Sequence, residues 1–338
     1  KIKKENLTEL YKLISAEKSL FVPAKKAGQT NYALYGAETE VDLDTLKTVK
    51  SAKELFFPQS ETLYNVKTVD NKYTVTQAEL QAEEFVVFGI RGCDLKGIEV
   101  LDKVFLSEPV DTFYASRREH GIIVSVACTR PSETCFCGTF GIDAKEPAGD
   151  ISCWKTETDL YFEANTEKGE ELLANLEGLT QECDTVAVDE QKEKTAKVMK
   201  KLPLAELTAD KFAGNKTKEF FDDPEWKSLS ESCLGCGTCT FVCPTCQCYD
   251  VKDYNTGNGI LRFRCWDSCM YSDFTKMAHG NNRLSQVERF RQRFMHKLVY
   301  FPENNEGIFG CVGCGRCLAK CPISMNIGKV MKTIGGND

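Results

Sequence analysis

The stretch CLGCGTCTFVCP, residues 233–244, has four cysteines at the spacing C-x2-C-x2-C-x3-C and a proline directly after the fourth. The same spacing returns at CVGCGRCLAKCP, residues 311–322. The chain has 18 cysteines in 338 residues, and clustered cysteines in a reducing compartment indicate metal binding or catalysis rather than disulfides. These two segments determine how the C-terminal part folds, because each loop must fold around the metal centre that its thiolates bind.

The repeated spacing is the bacterial ferredoxin pattern, in which three closely spaced thiolates bind one [4Fe–4S] cluster and the fourth binds the other cluster. Zinc knuckles instead use cysteine pairs separated by a spacer. We therefore predict two cluster-binding sets, named site 1 and site 2. Site 1 consists of Cys233, Cys236, Cys239 and Cys321, and site 2 consists of Cys311, Cys314, Cys317 and Cys243. Glycines at 235, 237, 313 and 315 are expected to let the backbone approach the clusters closely.

The two motifs are separated by 67 residues, whereas a compact ferredoxin has a short loop there. The insertion contains a basic segment, Arg283–Leu298, with apolar residues at helical spacing. This segment predicts a helix. Its apolar stripe is expected to pack against the protein, and its basic face is either solvated or a docking surface for a partner. We expect the domain around the clusters to be largely helical.

The N-terminal part is predicted to be α/β. The runs EFVVFGI (84–90), GIIVSVA (121–127) and DTVAVD (184–189) favour buried strands, and residues 95–106 and 191–202 favour helices. No glycine-rich phosphate-binding motif follows these strands, so no nucleotide site is predicted. We predict an α/β or α+β domain over residues 1–215 and a ferredoxin-like domain with two [4Fe–4S] clusters over residues 216–338.

Four N-terminal cysteines form a further candidate set, named site 3. Cys93 and Cys128 each follow a predicted strand, and Cys135 and Cys137 lie in the loop after Cys128. If the two strands are neighbours, four thiolates converge, which is the ligand count of a third cubane. The spacing is not a general motif, so reduced thiols or a zinc ion remain open as alternatives.

The remaining cysteines give weaker expectations. Four cysteines beside the ferredoxin motif could form one more metal site, named the additional quartet: Cys246, Cys248, Cys265 and Cys269. Cys153 and Cys183 are predicted to be core residues. Asp94, Asp250 and Asp267 lie near cysteines and are expected to have capping or surface roles.

Composition excludes some classes of function. The net charge is −7 and the pI is about 5.3, which disfavours nucleic-acid binding because phosphate contacts need a basic surface. No apolar run approaches the roughly 18 residues of a membrane span, and the first residues lack the apolar core of a secretory signal. We expect a cytoplasmic protein.

Five motifs occur in this order: RGCDLKGIEVLD, CTRPSETCFCGTFG, CPTCQCYDV, WDSC and GCVGCGRCLAKCP. On these motifs the chain, from about residue 80 to its end, resembles the β-subunits of sulfhydrogenase-type hydrogenases and the A subunit of anaerobic sulfite reductase. RGCD departs from the usual Arg-Pro-Cys-Asp of these proteins but keeps the cysteine. The resemblance implies that site 3 holds a third [4Fe–4S] cluster.

The same resemblance implies an electron-transfer subunit of an anaerobic, cytoplasmic oxidoreductase complex. Its expected partners are a flavin-containing subunit linked to NAD(P)H or ferredoxin and a terminal hydrogenase, sulfite reductase or heterodisulfide-reductase-like subunit. We expect no flavin or nicotinamide on this chain and no stand-alone catalysis, because no acid–base pair or activated nucleophile stands out. The alternative is a self-contained iron–sulfur enzyme with a substrate pocket at site 3.

Overall fold

The computed structural model describes residues 1–70 and 72–336. The strands are β1 (Ile2–Lys3), β2 (Ser19–Lys26), β3 (Gln29–Leu34), β4 (Ser60–Val69), β5 (Lys72–Gln77), β6 (Phe85–Ile90), β7 (Gly121–Val126), β8 (Ile151–Lys155), β9 (Asp159–Ala164), β10 (Tyr249–Asn255), β11 (Gly259–Trp266), β12 (Lys276–Met277) and β13 (Gly280–Asn281). The α-helices are α1 (Leu7–Glu17), α2 (Lys53–Phe56), α3 (Gly92–Phe105), α4 (Thr112–His120), α5 (Glu167–Ala174), α6 (Val186–Met199), α7 (Thr217–Phe220), α8 (Glu225–Ser230), α9 (Thr238–Phe241), α10 (Gln286–Met295), α11 (Phe301–Asn304), α12 (Arg316–Lys320) and α13 (Ile327–Gly335).

A seven-stranded sheet forms the centre of the N-terminal part, in the order β1-β9-β8-β7-β6-β2-β3. Its middle strands β2, β6, β7 and β8 run parallel, and the pairs at both flanks are antiparallel. All residues of β6 and β7 are buried, as expected for parallel strands covered on both faces. The prediction of an α/β region with strands near 84–90 and 121–127 is confirmed.

Helices cover both faces of this sheet. One apolar cluster joins α1 and α5 to the sheet through residues such as Leu10, Ile14 and Leu172. A second cluster on the other face joins α2, α3 and α4 through residues such as Phe56 and Leu101. The carboxyl ends of β6 and β7 therefore meet at one edge of a three-layer core, and that edge carries Cys93 and Cys128.

A second, four-stranded sheet has the order β10-β11-β4-β5. Strands β10 and β11 come from the insertion between the two cysteine motifs, and β11 pairs antiparallel with β4 from the N-terminal part. The expectation of a largely helical C-terminal domain is therefore not confirmed. The sheet also joins both sides of the boundary predicted at residue 215, and the division into domains stays a prediction.

The segment 184–189 does not form the predicted strand. The structure places the beginning of α6 there, at Val186, whose side chain is 62% exposed. Two valines are too few to bury a strand face, and the glutamates and lysines that follow are good helix formers. The helices predicted at 95–106 and 191–202 are present as α3 and most of α6.

The C-terminal core is an apolar cluster around α10, with Phe290, Phe294 and Leu298 buried inside it. A capping box at Ser285 begins α10, because the hydroxyl of Ser285 and the carboxylate of Glu288 satisfy each other's backbone amides. The chain continues from α10 into the π-helical turn His296–Tyr300. The apolar stripe of the predicted basic helix thus faces the core, although Leu284 at its beginning is exposed.

In residues 1–70 and 72–336, no helix combines the length and the apolar character needed to cross a membrane.

Candidate metal centres

Both cysteine motifs fold into the same local structure. Gly237 and Gly315 adopt left-handed backbone conformations and lead directly into the short helices α9 and α12. The third cysteine of each motif, Cys239 or Cys317, lies in the first turns of its helix. The fourth cysteine follows the helix and a proline comes next, so its thiol leaves the loop that holds the other three.

The four thiols of site 1 line one cavity. Cys321 from the second motif joins Cys233, Cys236 and Cys239 from the first, as the crossed ferredoxin arrangement requires. The rest of the wall is mostly apolar, with Phe290 and Phe294 among its residues. The cavity therefore combines four soft sulfur ligands with a shell that limits access of water, which fits an iron–sulfur cluster.

A buried cation beside site 1 gives further evidence about the charge of the group that this site could hold. Arg293 lines the same cavity and is 4% exposed. Its Nε is fully buried without a hydrogen-bond partner. A buried guanidinium without an anionic partner is strongly unfavourable. The residues around the cavity thus fit an occupant that carries negative charge, which a cluster with four thiolates does.

In site 2 the Cys243 thiol, although it belongs to the first motif, lies among the thiols of the second motif. Cys311, Cys314 and Cys317 each feel the charge of Cys243. The hydroxyl of Thr245 is 3.2 Å from the Cys243 sulfur, and the Gly313 amide donates to the Cys311 sulfur at 3.5 Å. These weak donors can stabilise sulfur ligands and tune a bound cluster.

The four thiols of site 3 also line a single cavity. Cys93 lies in the first turn of α3 after β6, and Cys128 follows β7, so neighbouring parallel strands bring them together. The hydroxyl of Ser132 is 3.2 Å from the Cys135 sulfur. Arg91 also lines the cavity, and its guanidinium donates to backbone carbonyls that include those of Ala127 and Leu43.

Site 3 packs directly against the loop of site 2. A Cβ on Gly313 would lie 2.3 Å from the Phe136 carbonyl oxygen, and a Cβ on Gly315 would lie 2.1 Å from that of Thr134. The Phe136 amide donates to the Gly313 carbonyl at 2.9 Å. These glycines are therefore required by contact between two cysteine loops, in addition to the approach to a cluster that the sequence suggested.

Lys47 joins the same two loops from a third segment. Its ammonium donates to Ser132 and Thr134 at 2.8 and 2.9 Å and to the Cys314 carbonyl at 3.1 Å. It also lies 3.7 Å from the Cys135 sulfur. One cation thus contacts a predicted ligand of site 3 and the backbone of site 2.

Burial raises the pKa of most of these thiols. The pKa values of Cys137 and Cys314 rise to about 12, and that of Cys128 also rises. Such thiols stay neutral near pH 7 until a metal replaces the proton. Loading of the sites should therefore release protons. Cys236 differs: it is exposed, and hydrogen bonding with Thr238 lowers its pKa.

The additional quartet is only partly brought together. Cys248 lies beside Cys269, whose hydrogen bond lowers the pKa of Cys248 to about 7. Cys246 lies beside Cys243 and near Cys248. Cys265 is on β11, where its charged neighbours are Lys252, Asp250 and Asp267. In the described part of the chain, no three His, Cys, Asp or Glu side chains lie close enough to hold a single metal ion. This applies to the additional quartet and also to sites 1 to 3; at sites 1 and 3 the thiols instead line cavities.

Two expectations about single residues need correction. Cys153 is buried in β8, but Cys183 is exposed and is not a core residue. Asp94 does not have a surface role, because it is 2% exposed and forms an ion pair with Arg316. Along the chain, Arg316 lies between Cys314 and Cys317 of site 2.

Sequence reasoning missed the cations of these sites, of which Lys47 is half-buried and the other four are buried. Lys47, Arg91, Arg293, Lys297 and Arg316 all lie beside predicted ligands. Arg316 and Arg91 stand inside the quoted cysteine motifs, which is a usable signal. Arg293 and Lys297 were visible only as members of the basic segment 283–298, and Lys47 has no local pattern that marks it.

Two comparisons relate the chain to known proteins. The family described as "4Fe-4S dicluster domain" matches residues 232–325, which contain both repeated motifs. Sulfhydrogenase 2 subunit beta from Pyrococcus furiosus is 32% identical over 340 aligned positions, covering 99% of this chain and 97% of that protein. No solved structure matches the chain. The similarity extends over both parts of the fold, and the chain belongs to the sulfhydrogenase β-subunit family.

Proposed function

We propose that this chain is the iron–sulfur electron-transfer subunit of a multi-subunit oxidoreductase, with [4Fe–4S] clusters at sites 1, 2 and 3. The observation that carries the proposal is the cavity of site 1, where four thiols from two distant motifs surround a space beside an unpaired buried arginine. The dicluster match and the β-subunit relative support the same function.

A [4Fe–4S] cluster gains or loses one electron with little rearrangement of its ligands. The chain's own task is to hold three such centres close together. Contact between residues 134–137 and the loop of site 2, together with Lys47, keeps sites 2 and 3 adjacent. Cys239 of site 1 and Cys317 of site 2 lie close enough to feel each other's charge.

Site 1 is the proposed point of exchange with another protein. Cys236 is exposed, and the neighbouring Leu234 is 66% exposed, whereas the thiols of site 2 are buried or half-buried. An apolar residue over a centre near the surface suits a transient contact with a redox partner. We propose that electrons enter or leave the chain here.

The relative's printed name describes a subunit, which supports a complex with further chains. We propose that one partner is a flavin-containing subunit linked to NAD(P)H or ferredoxin, and another is a terminal hydrogenase or reductase. All 18 cysteines are free, which favours a reducing compartment such as the cytoplasm.

Iron and acid-labile sulfide per chain test this proposal on anaerobically purified protein. Three cubanes predict about 12 irons in the wild type and about 8 in Cys128→Ser, since each cubane holds four. Cys183→Ser is the matched control, because that thiol is exposed and remote from the sites, and it should keep about 12. About 8 irons in the wild type and in both variants would show that site 3 holds no cluster. Zinc in place of iron would overturn the proposal.

A further inference from the structure

Arg293 is a buried cation on α10. Its Nε is fully enclosed and has no hydrogen-bond partner within residues 1–70 and 72–336. The guanidinium carbon lies 4.3 Å from the centre of the Phe294 ring. This ring can offset only a small part of the cost of burying a charge.

The position of Arg293 indicates what offsets the remainder. The side chain lines the cavity of site 1, and its strongest charge interactions are with Cys239 of site 1 and then Cys317 of site 2. The cation therefore lies between two ligand sets that the crossed cysteine motifs place side by side. The protein has inserted one positive charge where two anionic centres would approach each other.

Lys297, four residues further along the same helical segment, has a different role. Its ammonium donates to the Thr245 hydroxyl at 2.7 Å and to the Gly310 carbonyl at 2.9 Å. The thiols with the strongest charge interactions with Lys297 are Cys243, Cys246 and Cys311. Two of these belong to site 2 and none to site 1. Of the two cations, Arg293 is the one whose charge is directed at both sites.

We infer that Arg293 is a positioning residue that raises the reduction potentials of both dicluster centres and allows them to be held reduced at the same time. This inference rests on the proposed occupancy of sites 1 and 2 by [4Fe–4S] clusters. Reduction adds one negative charge at each centre, and a nearby cation in a medium of low dielectric stabilises that form. The same charge weakens the repulsion between two reduced neighbours.

The test is a redox titration followed by electron paramagnetic resonance on anaerobic holoprotein. Arg293→Met should lower the ratio of reduced to oxidised cluster about tenfold or more at both sites at a given potential, which is about 59 mV for a one-electron couple. The thiols of site 3 are not among the main charge partners of Arg293, so the signal of site 3 is an internal reference and should move much less. Arg293→Lys keeps the charge and should retain potentials near those of the wild type.

Arg291→Met is the matched control, because it removes the same charge from the same helix. Arg291 instead lies over the ring of Phe221 and donates to the Phe221 carbonyl at 3.0 Å, away from the cavity. It should leave all potentials unchanged.

Each outcome decides the inference. Arg293→Met with full iron content and unchanged potentials would overturn it. If Arg293→Met loses iron, Arg293→Lys becomes the deciding variant. Full iron content and normal potentials in Arg293→Lys would support a role for the positive charge. Loss of iron in both variants would show that Arg293 is needed only for packing. A wild type without iron at sites 1 and 2 would defeat the proposed function itself, before any variant is compared.

Discussion

Asp94 and Arg316 form an ion pair in which both side chains are 2% exposed. One guanidinium nitrogen lies 2.7 Å from the carboxylate, and Arg316 also donates to the Thr48 carbonyl at 2.9 Å. Asp94 follows Cys93 of site 3 in the chain, and Arg316 precedes Cys317 of site 2. The pair therefore connects the two parts of the protein at the point where two predicted cluster sites meet.

Breaking this pair on one side should destabilise the protein strongly. Arg316→Met leaves a buried carboxylate without its partner, and such losses cost about 3–5 kcal/mol. The double variant Asp94→Leu with Arg316→Met leaves no buried charge and should recover part of that loss. Anaerobic thermal unfolding of the three proteins measures both effects. A double variant less stable than Arg316→Met would contradict the expectation.

Gly315→Ala should separate the loops of sites 2 and 3. The added Cβ would meet the Thr134 carbonyl, and the left-handed backbone adds about 1–2 kcal/mol of strain for a residue with a side chain. We expect a lower unfolding temperature and lower iron content.

Gly138→Ala is the control for Gly315→Ala, because it lies in the loop of site 3 with open space around its Cβ position. It should resemble the wild type. Equal losses of iron in the two alanine variants would show that the contact with Thr134 is not the cause.

His296 should make stability depend on pH below neutrality. Burial, with Lys297 nearby, lowers its pKa from 6.5 to about 4. The folded state thus favours the neutral ring, so its contribution is complete above pH 6.5 and is lost as the pH falls toward 4. At about 1.4 kcal/mol for each pKa unit, the loss reaches roughly 2 kcal/mol at pH 5.

The variant His296→Gln stays neutral and should lose less stability than the wild type between pH 7 and pH 5, as measured by anaerobic thermal unfolding. The exposed His279 provides the control His279→Asn, which should follow the wild type. Identical pH dependence in wild type and His296→Gln would rule out this histidine as the cause.

Cys265 and Cys321 should behave differently when replaced by serine. Cys265 is on β11 among charged side chains, apart from the other members of the additional quartet, so Cys265→Ser should keep its full iron content. Cys321 lines the cavity of site 1, so Cys321→Ser should lose up to about four irons, one cubane. Iron analysis and the visible absorption of the clusters measure both. Loss of iron from Cys265→Ser would instead indicate that Cys265 is a metal ligand.

The sequence alone determined the grouping of cysteines and the strands that carry them. Spacing within a motif is a local property, and it predicted which thiols belong to sites 1 and 2. The strands β6 and β7 were also visible locally, because a fully buried parallel strand is a continuous apolar run. The short run with two valines at 184–189 led to a wrong strand prediction for the same reason. It has the composition of a strand, but no partner strand buries it.

Only the tertiary structure decided what surrounds the thiols. Lys47, Asp94, Arg293 and Arg316 come from segments up to 269 residues apart, counting from 47 to 316. Asp94 and Arg316 stand beside cysteines in the chain, but no local pattern predicts that they pair with each other or that Lys47 and Arg293 lie beside predicted ligands. The pairing of β11 with β4 is equally non-local. A buried charge is stabilised by the groups around it and not by its neighbours along the chain, so its role becomes visible only when the chain is folded.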